Sequence, residues 1–308
     1  NFAAPRPISV RKADGSWQSF KPVTQTNLFQ VVVDQQDNKW FIVQGNSGGV
    51  MVFNEGDDFN STTDDKVRFI NTGNSVLTSN TINCLTVDLD GAVWIGTDAG
   101  PFVFECGSNV FDSSCKGSQR RVVEGGIPAL LLDGEDIRTI AVDGGNRKWF
   151  GSTTGVYVQS ASGEQQIHKF TTDNSPLFDN TIQKIGINNK NGEVFIATDK
   201  GMVSYKGEAT EGGIFHIDAN ILVYPNPVKP DYDGPIAIKG LASNSNVKIT
   251  DITGRLVFET KAVGGQAIWY GSDLSGKRAA SGVYLVFSTA ELLIDKPDAA
   301  IAKILFIN

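Results

Sequence analysis

Residues 82–104 read Ile82-Asn83-Cys84-Leu85-Thr86-Val87-Asp88, a turn through Leu89-Asp90-Gly91-Ala92, then Val93-Trp94-Ile95-Gly96-Thr97 and Gly100-Pro101-Phe102-Val103-Phe104. An apolar strand closes on an acid, an aromatic-centred strand follows, and a glycine turn leads into a third strand. The same parts recur on either side. Upstream stand Leu28 to Asp34, Lys39-Trp40-Phe41-Ile42 and Gly49 to Phe53. Downstream stand Ile137 to Asp143, Lys148 to Ser152 and Gly155 to Val158, then Ile182 to Asn188, Val194 to Thr198 and Gly201 to Tyr205. The anchors Asp34, Asp88, Asp143 and Asn188 are 54, 55 and 45 residues apart. A period of about 45 residues is the length of one four-stranded propeller blade. The two longer periods carry insertions, one acidic (Glu55 to Asp65) and one holding Cys106 and Cys115.

Each first strand is almost wholly apolar, which predicts an inner strand packed on both faces. The closing Asp or Asn can accept bonds from turn amides, and Gly91, Gly144 and Gly192 can take a positive φ. Trp40, Trp94, Trp149 and Phe195 hold matching places and suit the layer between neighbouring blades. Fourth strands are expected at Val67–Ile70, Arg120–Val123, Ile167–Phe170 and Ile214–Ile217. A fifth candidate, Gly15–Phe20, precedes the first copy. Four blades rarely close a ring, so the chain is expected to be the C-terminal piece of a larger protein, with an incomplete propeller. It begins Asn1-Phe2 without Met, as a processed or partial chain would.

Composition agrees with an all-β reading. Of 308 residues, 40% are hydrophobic, enough for a sizeable core, and the 33 glycines imply many tight turns. The net charge of −7 argues against nucleic acid, because a phosphate-binding face needs clustered Lys and Arg. No apolar run of 18 residues occurs, so no transmembrane segment is expected.

Beyond residue 217 the pattern changes. Seven strand-like runs follow: Leu222–Tyr224, Pro235–Lys239, Asn246–Asp251, Leu256–Lys261, Gln266–Tyr270, Gly282–Ser288 and Ala300–Ile307. Seven short strands in so few residues predict an immunoglobulin-like β-sandwich. Pro225 and Pro227 enforce an extended entry, and Gly254 suits a hairpin turn. The expected domains are therefore 1–217, propeller blades, and 218–308, the sandwich.

Two resemblances attach to these residues. Over roughly residues 15–217 the repeat resembles the two-component regulator propeller repeat, which Val93 to Thr97 matches closely. The connector Phe170 to Leu177 before Asn180-Thr181-Ile182 echoes Phe69 to Leu77 before Asn80-Thr81-Ile82. That resemblance implies a fold and not signalling. The C-terminal part resembles the sorting domain of the type IX secretion system. The residues that carry it are Tyr224, Pro225, Asn226, Pro227, Gly254, Gly282, Tyr284 and Lys303, with Asp251, Trp269, Gly271, Asp273 and Gly276 in the family order. Ala290 to Asp298 is longer than the usual final hairpin, which leaves its register open.

Chemistry is sparse. Cys106 and Cys115 bracket a polar loop and can staple it in an oxidising compartment. Cys84 reads as a small buried hydrophobe. The two histidines, His168 and His216, read as edge-strand side chains, and no metal spacing, catalytic residue or cofactor-binding motif is found. Asp88-Leu89-Asp90-Gly91 opens like a calcium loop, but Ala99 stands at the twelfth place, so a β-turn is the reading. The acidic insertion reads as a solvated loop.

Together the two resemblances match the PorZ-like surface proteins of the type IX attachment machinery. They imply a non-enzymatic protein exported through the periplasm to the extracellular face of the outer membrane. Its implied partners are other attachment-complex proteins, including a sortase-like peptidase, and surface lipopolysaccharide. The alternative is a secreted cargo propeller that binds or processes polysaccharide. A sensor ectodomain fits the sorting domain and the lack of a membrane span less well.

Overall fold

The computed structural model describes residues 5–21, 27–45, 48–58, 60–124, 126–216, 221–290 and 298–307. It divides into two compact units. One comprises Asn1–Val142, Arg147–Gly186 and Ile196–Val203, and the other Asp143–Asn146, Ile187–Phe195 and Ser204–Asn308. Among the described residues the regular elements of both are strands, apart from one short 3-10 turn at Gly107–Phe111 in the first.

In the first unit, β1 (Ile8–Arg11) and β2 (Trp17–Phe20) form a hairpin. The candidate at Gly15–Phe20 is thus a strand, with a partner that sequence did not reveal. A four-stranded sheet follows in the order β3 (Leu28–Val33), β4 (Lys39–Val43), β5 (Gly49–Asn54), β6 (Lys66–Ile70). Next come β7 (Ile82–Val87), β8 (Val93–Thr97) and β9 (Gly100–Phe104) in three strands. Strands β10 (Arg121–Glu124) and β11 (Ile127–Leu130) make a separate hairpin. Another four-stranded meander joins β12 (Thr139–Val142), β13 (Lys148–Gly151), β14 (Val156–Gln159) and β15 (Gln166–Phe170). The last repeat gives β16 (Ile182–Asn188), β17 (Glu193–Thr198) and β18 (Gly201–Lys206), whose residues are shared between the units.

The repeat has a side-chain basis. Asp34 Oδ1 accepts from the amides of Gln36 and Asn38, both at 2.9 Å, and its Oδ2 accepts from the Trp40 indole at 2.8 Å. Asp88 does the same with Asp90, Ala92 and Trp94, at 3.0, 2.9 and 2.9 Å. The acid therefore ties the turn to the aromatic six residues on. Each indole then packs edge-on to the next sheet: Trp40 on Phe104 and Trp94 on Phe150, both at 5.8 Å between centroids. Such pairs add about 0.5–1.5 kcal/mol beyond the area they bury. The connectors repeat to the atom. Asn74 accepts from the Asn71 amide at 3.1 Å and donates to Phe69 O at 2.8 Å. Asn174 accepts from Thr171 at 2.8 Å and donates to Lys169 O at 2.9 Å.

Four expectations need correction. The first strands are sheet edges: β3 leaves Val31 and Val33 about half exposed, whereas β8, β9, β13 and β14 are buried throughout. Among the described residues, the second repeat shows no fourth strand in its sheet. Beyond its pairing with β8, β9 meets Ser118 through Val103 in an isolated bridge, and Arg121–Glu124 pairs with Ile127–Leu130 instead. The sequence between the two strands, Gly125-Gly126, is of a kind that favours a two-residue hairpin connection. Among the described residues the fourth repeat shows none either: Gly213 bridges Ala242 of the C-terminal part and His216 bonds Asp298, and Ile217 lies outside the described residues. Gly91 and Gly192 do take positive φ, at 86° and 72°, but in the third copy the positive φ is at Asn146, 60°. Gly144 is needed for space instead: a Cβ there would collide with the Thr210 carbonyl group.

The C-terminal strands lie in the second unit. A three-stranded sheet runs β19 (Leu222–Tyr224), β20 (Ile236–Lys239), β23 (Gln266–Trp269), and a four-stranded sheet runs β22 (Leu256–Lys261), β21 (Asn246–Asp251), β24 (Gly282–Ala290), β25 (Asp298–Phe306). All seven expected strands are present within one or two residues. Ile238 and Trp269 from the first sheet share one core with Val247, Ile249, Val286, Ile304 and Phe306 from the second. Burying each such aliphatic side chain contributes about 1.5–3 kcal/mol. The final hairpin pairs Gly282 with Phe306 and Ala290 with Asp298, which supplies its register. Residues 291–297 and the crossing at 218–220 lie outside the described residues.

Candidate functional site

The sorting-motif residues divide by role. Asn226 clips the last strand: its side-chain amide donates to Lys303 O at 2.9 Å, and its Oδ1 accepts from the Leu305 amide at 2.9 Å. Val228 continues this contact, donating to Leu305 O at 2.8 Å and accepting from the Ile307 amide at 2.9 Å. Pro225 and Pro227, on either side of Asn226, contribute no N–H of their own. Tyr224 is 75% exposed. Tyr284 is buried, donates to Ala280 O at 2.8 Å and packs on Trp269 at 5.4 Å. Gly282 opens β24 opposite Phe306.

Gly254 takes φ of 87° in the turn after β21. Asp251 organises that turn, accepting from the Thr253 hydroxyl at 2.6 Å, the Thr253 amide at 2.9 Å and the Arg255 amide at 3.1 Å. The Thr253 hydroxyl first, with the turn amides and Arg255 after it, outweighs desolvation and holds the Asp251 carboxyl down to about 2. Asp273 builds the same turn with Ser275 and Lys277.

Residues 208–216 are stitched to these strands. Thr210 forms a parallel bridge with Gly264, and Gly213 one with Ala242. Gln266 donates to Glu208 O at 3.0 Å, and the Ser243 amide donates to Gly213 O at 2.8 Å. His216 ends the run. Its ring is almost fully buried, with Nδ1 2.7 Å from Asp298 Oδ2 and Nε2 2.8 Å from Ser288 Oγ. The expected edge-strand histidine is therefore a buried clasp, and only His168 lies in an edge strand, β15. The Asp–His–Ser order has the shape of a nucleophile-activating chain. Here Ser288 is buried on β24 and donates to Ser245 Oγ at 2.9 Å, so the chain fastens rather than attacks. Sequence reasoning missed it because the partners stand 72 and 82 residues away.

The other candidates find plain roles. Cys106 and Cys115 are bonded, with Cα atoms 5.9 Å apart. Burial pushes the Cys84 thiol up to about 12. Asp88 holds no vacant cation position, since Lys148 Nζ lies 2.8 Å from its Oδ2. Among the described residues, no group of three or more His, Cys, Asp or Glu could hold a metal ion. Trp40, Trp94 and Trp149 are core residues, as the repeat implied, and so is Trp269, whereas Trp17 is exposed.

One cleft in the first unit, of about 830 Å³, lies between the β10–β11 hairpin and β14–β15. Val122, Ala129 and Leu132 form an apolar wall, and Tyr157 and Gln159 line the opposite side. Asp133, Glu135 and Glu164 supply carboxylates and Lys169 one ammonium.

Residues 222–293 match the secretion system C-terminal sorting domain. Among solved structures, the chain is similar to PorZ of Porphyromonas gingivalis, described as an essential bacterial surface component of the type IX secretion system. The identity is 28% with a TM-score of 0.61, over 95% of this chain and 41% of that one. The chain thus spans about two fifths of that structure. Weaker likenesses include the extracellular domain of a hybrid two-component system from B. thetaiotaomicron, 12% identical, TM-score 0.43, over 93% of this chain and 37% of that one. A gluconolactonase from Xanthomonas campestris is 13% identical, TM-score 0.38, over 65% of this chain and 64% of that one. Likeness at that level says nothing about activity. Comparison with curated proteins finds no match.

Proposed function

We propose that this chain is part of a non-enzymatic cell-surface component of the type IX attachment machinery, and that its sorting domain stays in place on the mature protein. The observation that carries this reading is the similarity to PorZ, which runs through both the repeats and the sorting domain. The stitching of residues 208–216 to the C-terminal strands supports retention, because bridges and a hydrogen bond tie this segment to Ala242, Gly264 and Gln266, beyond the crossing. In this reading residues 1–217 are propeller blades completed by other sequence, and 218–308 form an immunoglobulin-like sorting domain. Its partners are other attachment-complex proteins, including a sortase-like peptidase, and anionic surface lipopolysaccharide. The protein resides on the extracellular face of the outer membrane.

Deleting the gene tests this. A reporter cargo carrying its own sorting domain is expected to keep that domain and fail to appear on the surface. Normal processing and display of the reporter would instead make the protein an ordinary cargo.

A further inference from the structure

Gln159 closes β14 at a register irregularity opposite Gln166. Bulges commonly re-aim a side chain towards a site. Gln159 is only 2% exposed and lines the cleft beside β10–β11, yet its Oε1 has no hydrogen-bond partner. A buried acceptor left unpaired is costly and rare in a native fold. Its surroundings narrow what would satisfy it. Asp133, Glu135 and Glu164 face one ammonium, Lys169, so the cleft is net acidic. Thr154 donates to one oxygen of Glu135 at 2.7 Å and lies 2.8 Å from the Tyr157 hydroxyl, which fixes the carboxylate beside the ring. Lys169 Nζ sits 4.8 Å from the Tyr157 ring centroid, so that ring face already attracts a cation. Lys169 itself is exposed and can swing away.

We propose that this cleft binds an arginine side chain presented by an extended segment of a partner protein. A guanidinium has donors only, so it can satisfy the Gln159 acceptor and a carboxylate at once, and its plane stacks on an aromatic face. An anionic glycan meets repulsion here. A neutral sugar leaves the acidic lining unexplained. The space exceeds one side chain: an adjoining hollow of about 690 Å³ is walled by Val123, Pro128 and Ile167, with Arg121 and Glu164 at its edges. Hairpin β10–β11 stands as a two-stranded sheet of its own, so its outer edge can pair with an extended chain. Val123 and Ile127, each 70% exposed, can take that segment's apolar residues. The inference rests on the cleft alone and goes beyond the assignment to the secretion machinery.

The test uses the full chain and a labelled peptide, acetyl-Val-Arg-Val-Arg-Val-amide, followed by fluorescence anisotropy. Its citrulline counterpart keeps the shape and removes the charge. The arginine peptide is expected to bind and the citrulline peptide to bind at least about tenfold more weakly. Gln159→Leu and Glu135→Gln should each weaken the arginine peptide by about tenfold or more. Gln159→Leu should leave the thermal midpoint unchanged or raised, since it removes an unsatisfied acceptor. Lys169→Ala should tighten binding, whereas an anionic ligand would lose affinity. No binding, equal binding of the two peptides, or binding indifferent to all three substitutions would overturn the proposal.

Discussion

Lys148 is fully buried, with its Nζ 2.8 Å from Asp88 Oδ2, 2.5 Å from Ala161 O and 5.3 Å from the Trp94 ring centroid. It joins two consecutive repeats through the acid that anchors the earlier one. Lys148→Met leaves Asp88 buried beside no cation and is expected to cost about 3–5 kcal/mol. Adding Asp88→Asn should recover part of that loss. Urea unfolding of the single and double variants measures both. Burial alone would raise the Asp88 pKa, but bonds from Lys148 and Trp94 outweigh it and the net shift is downward. A carboxylate with a depressed native pKa stabilises fully above its unfolded value of 3.8. That contribution should fade as pH falls through the native pKa and should be missing from the acid limb of Lys148→Met. Asp251 offers a direct reading: its carboxyl carbon should titrate near 2 by NMR, and Thr253→Val should move the midpoint up towards 3.8.

At the scale of elements, strands with a strong local pattern were legible. The seven C-terminal strands and the first three strands of each repeat follow from alternation, apolar runs and glycine turns. What sequence could not supply was choice of partner. Arg121–Glu124 has the composition of a fourth strand, yet it pairs with Ile127–Leu130, the run two residues on in sequence. Residues 214–216 have the same composition, but bonds from Thr210, Gly213 and His216 take that segment to the C-terminal strands. The cleft was illegible for the same reason, since it depends on where the displaced hairpin stands. The docking of 208–216 has its own test. Gly264 takes φ of 62°, and a Cβ there would collide with Thr210 O. Gly264→Ala should lift the segment and make it sensitive to limited proteolysis, while the wild type stays protected.

At the scale of the whole molecule, the repeats and the sorting domain make one account only if they remain in one chain at the cell surface. A cargo protein would part with residues beyond the linker once exported. The stitched segment and the buried His216 clasp both work against such a separation. The most direct measurement is mass spectrometry of the C-terminal peptide from protein released from the surface of intact cells. The account predicts peptides from 222–308 at the same abundance as those from 28–206. A mature chain ending near residues 218–220, with no peptide beyond, would contradict it.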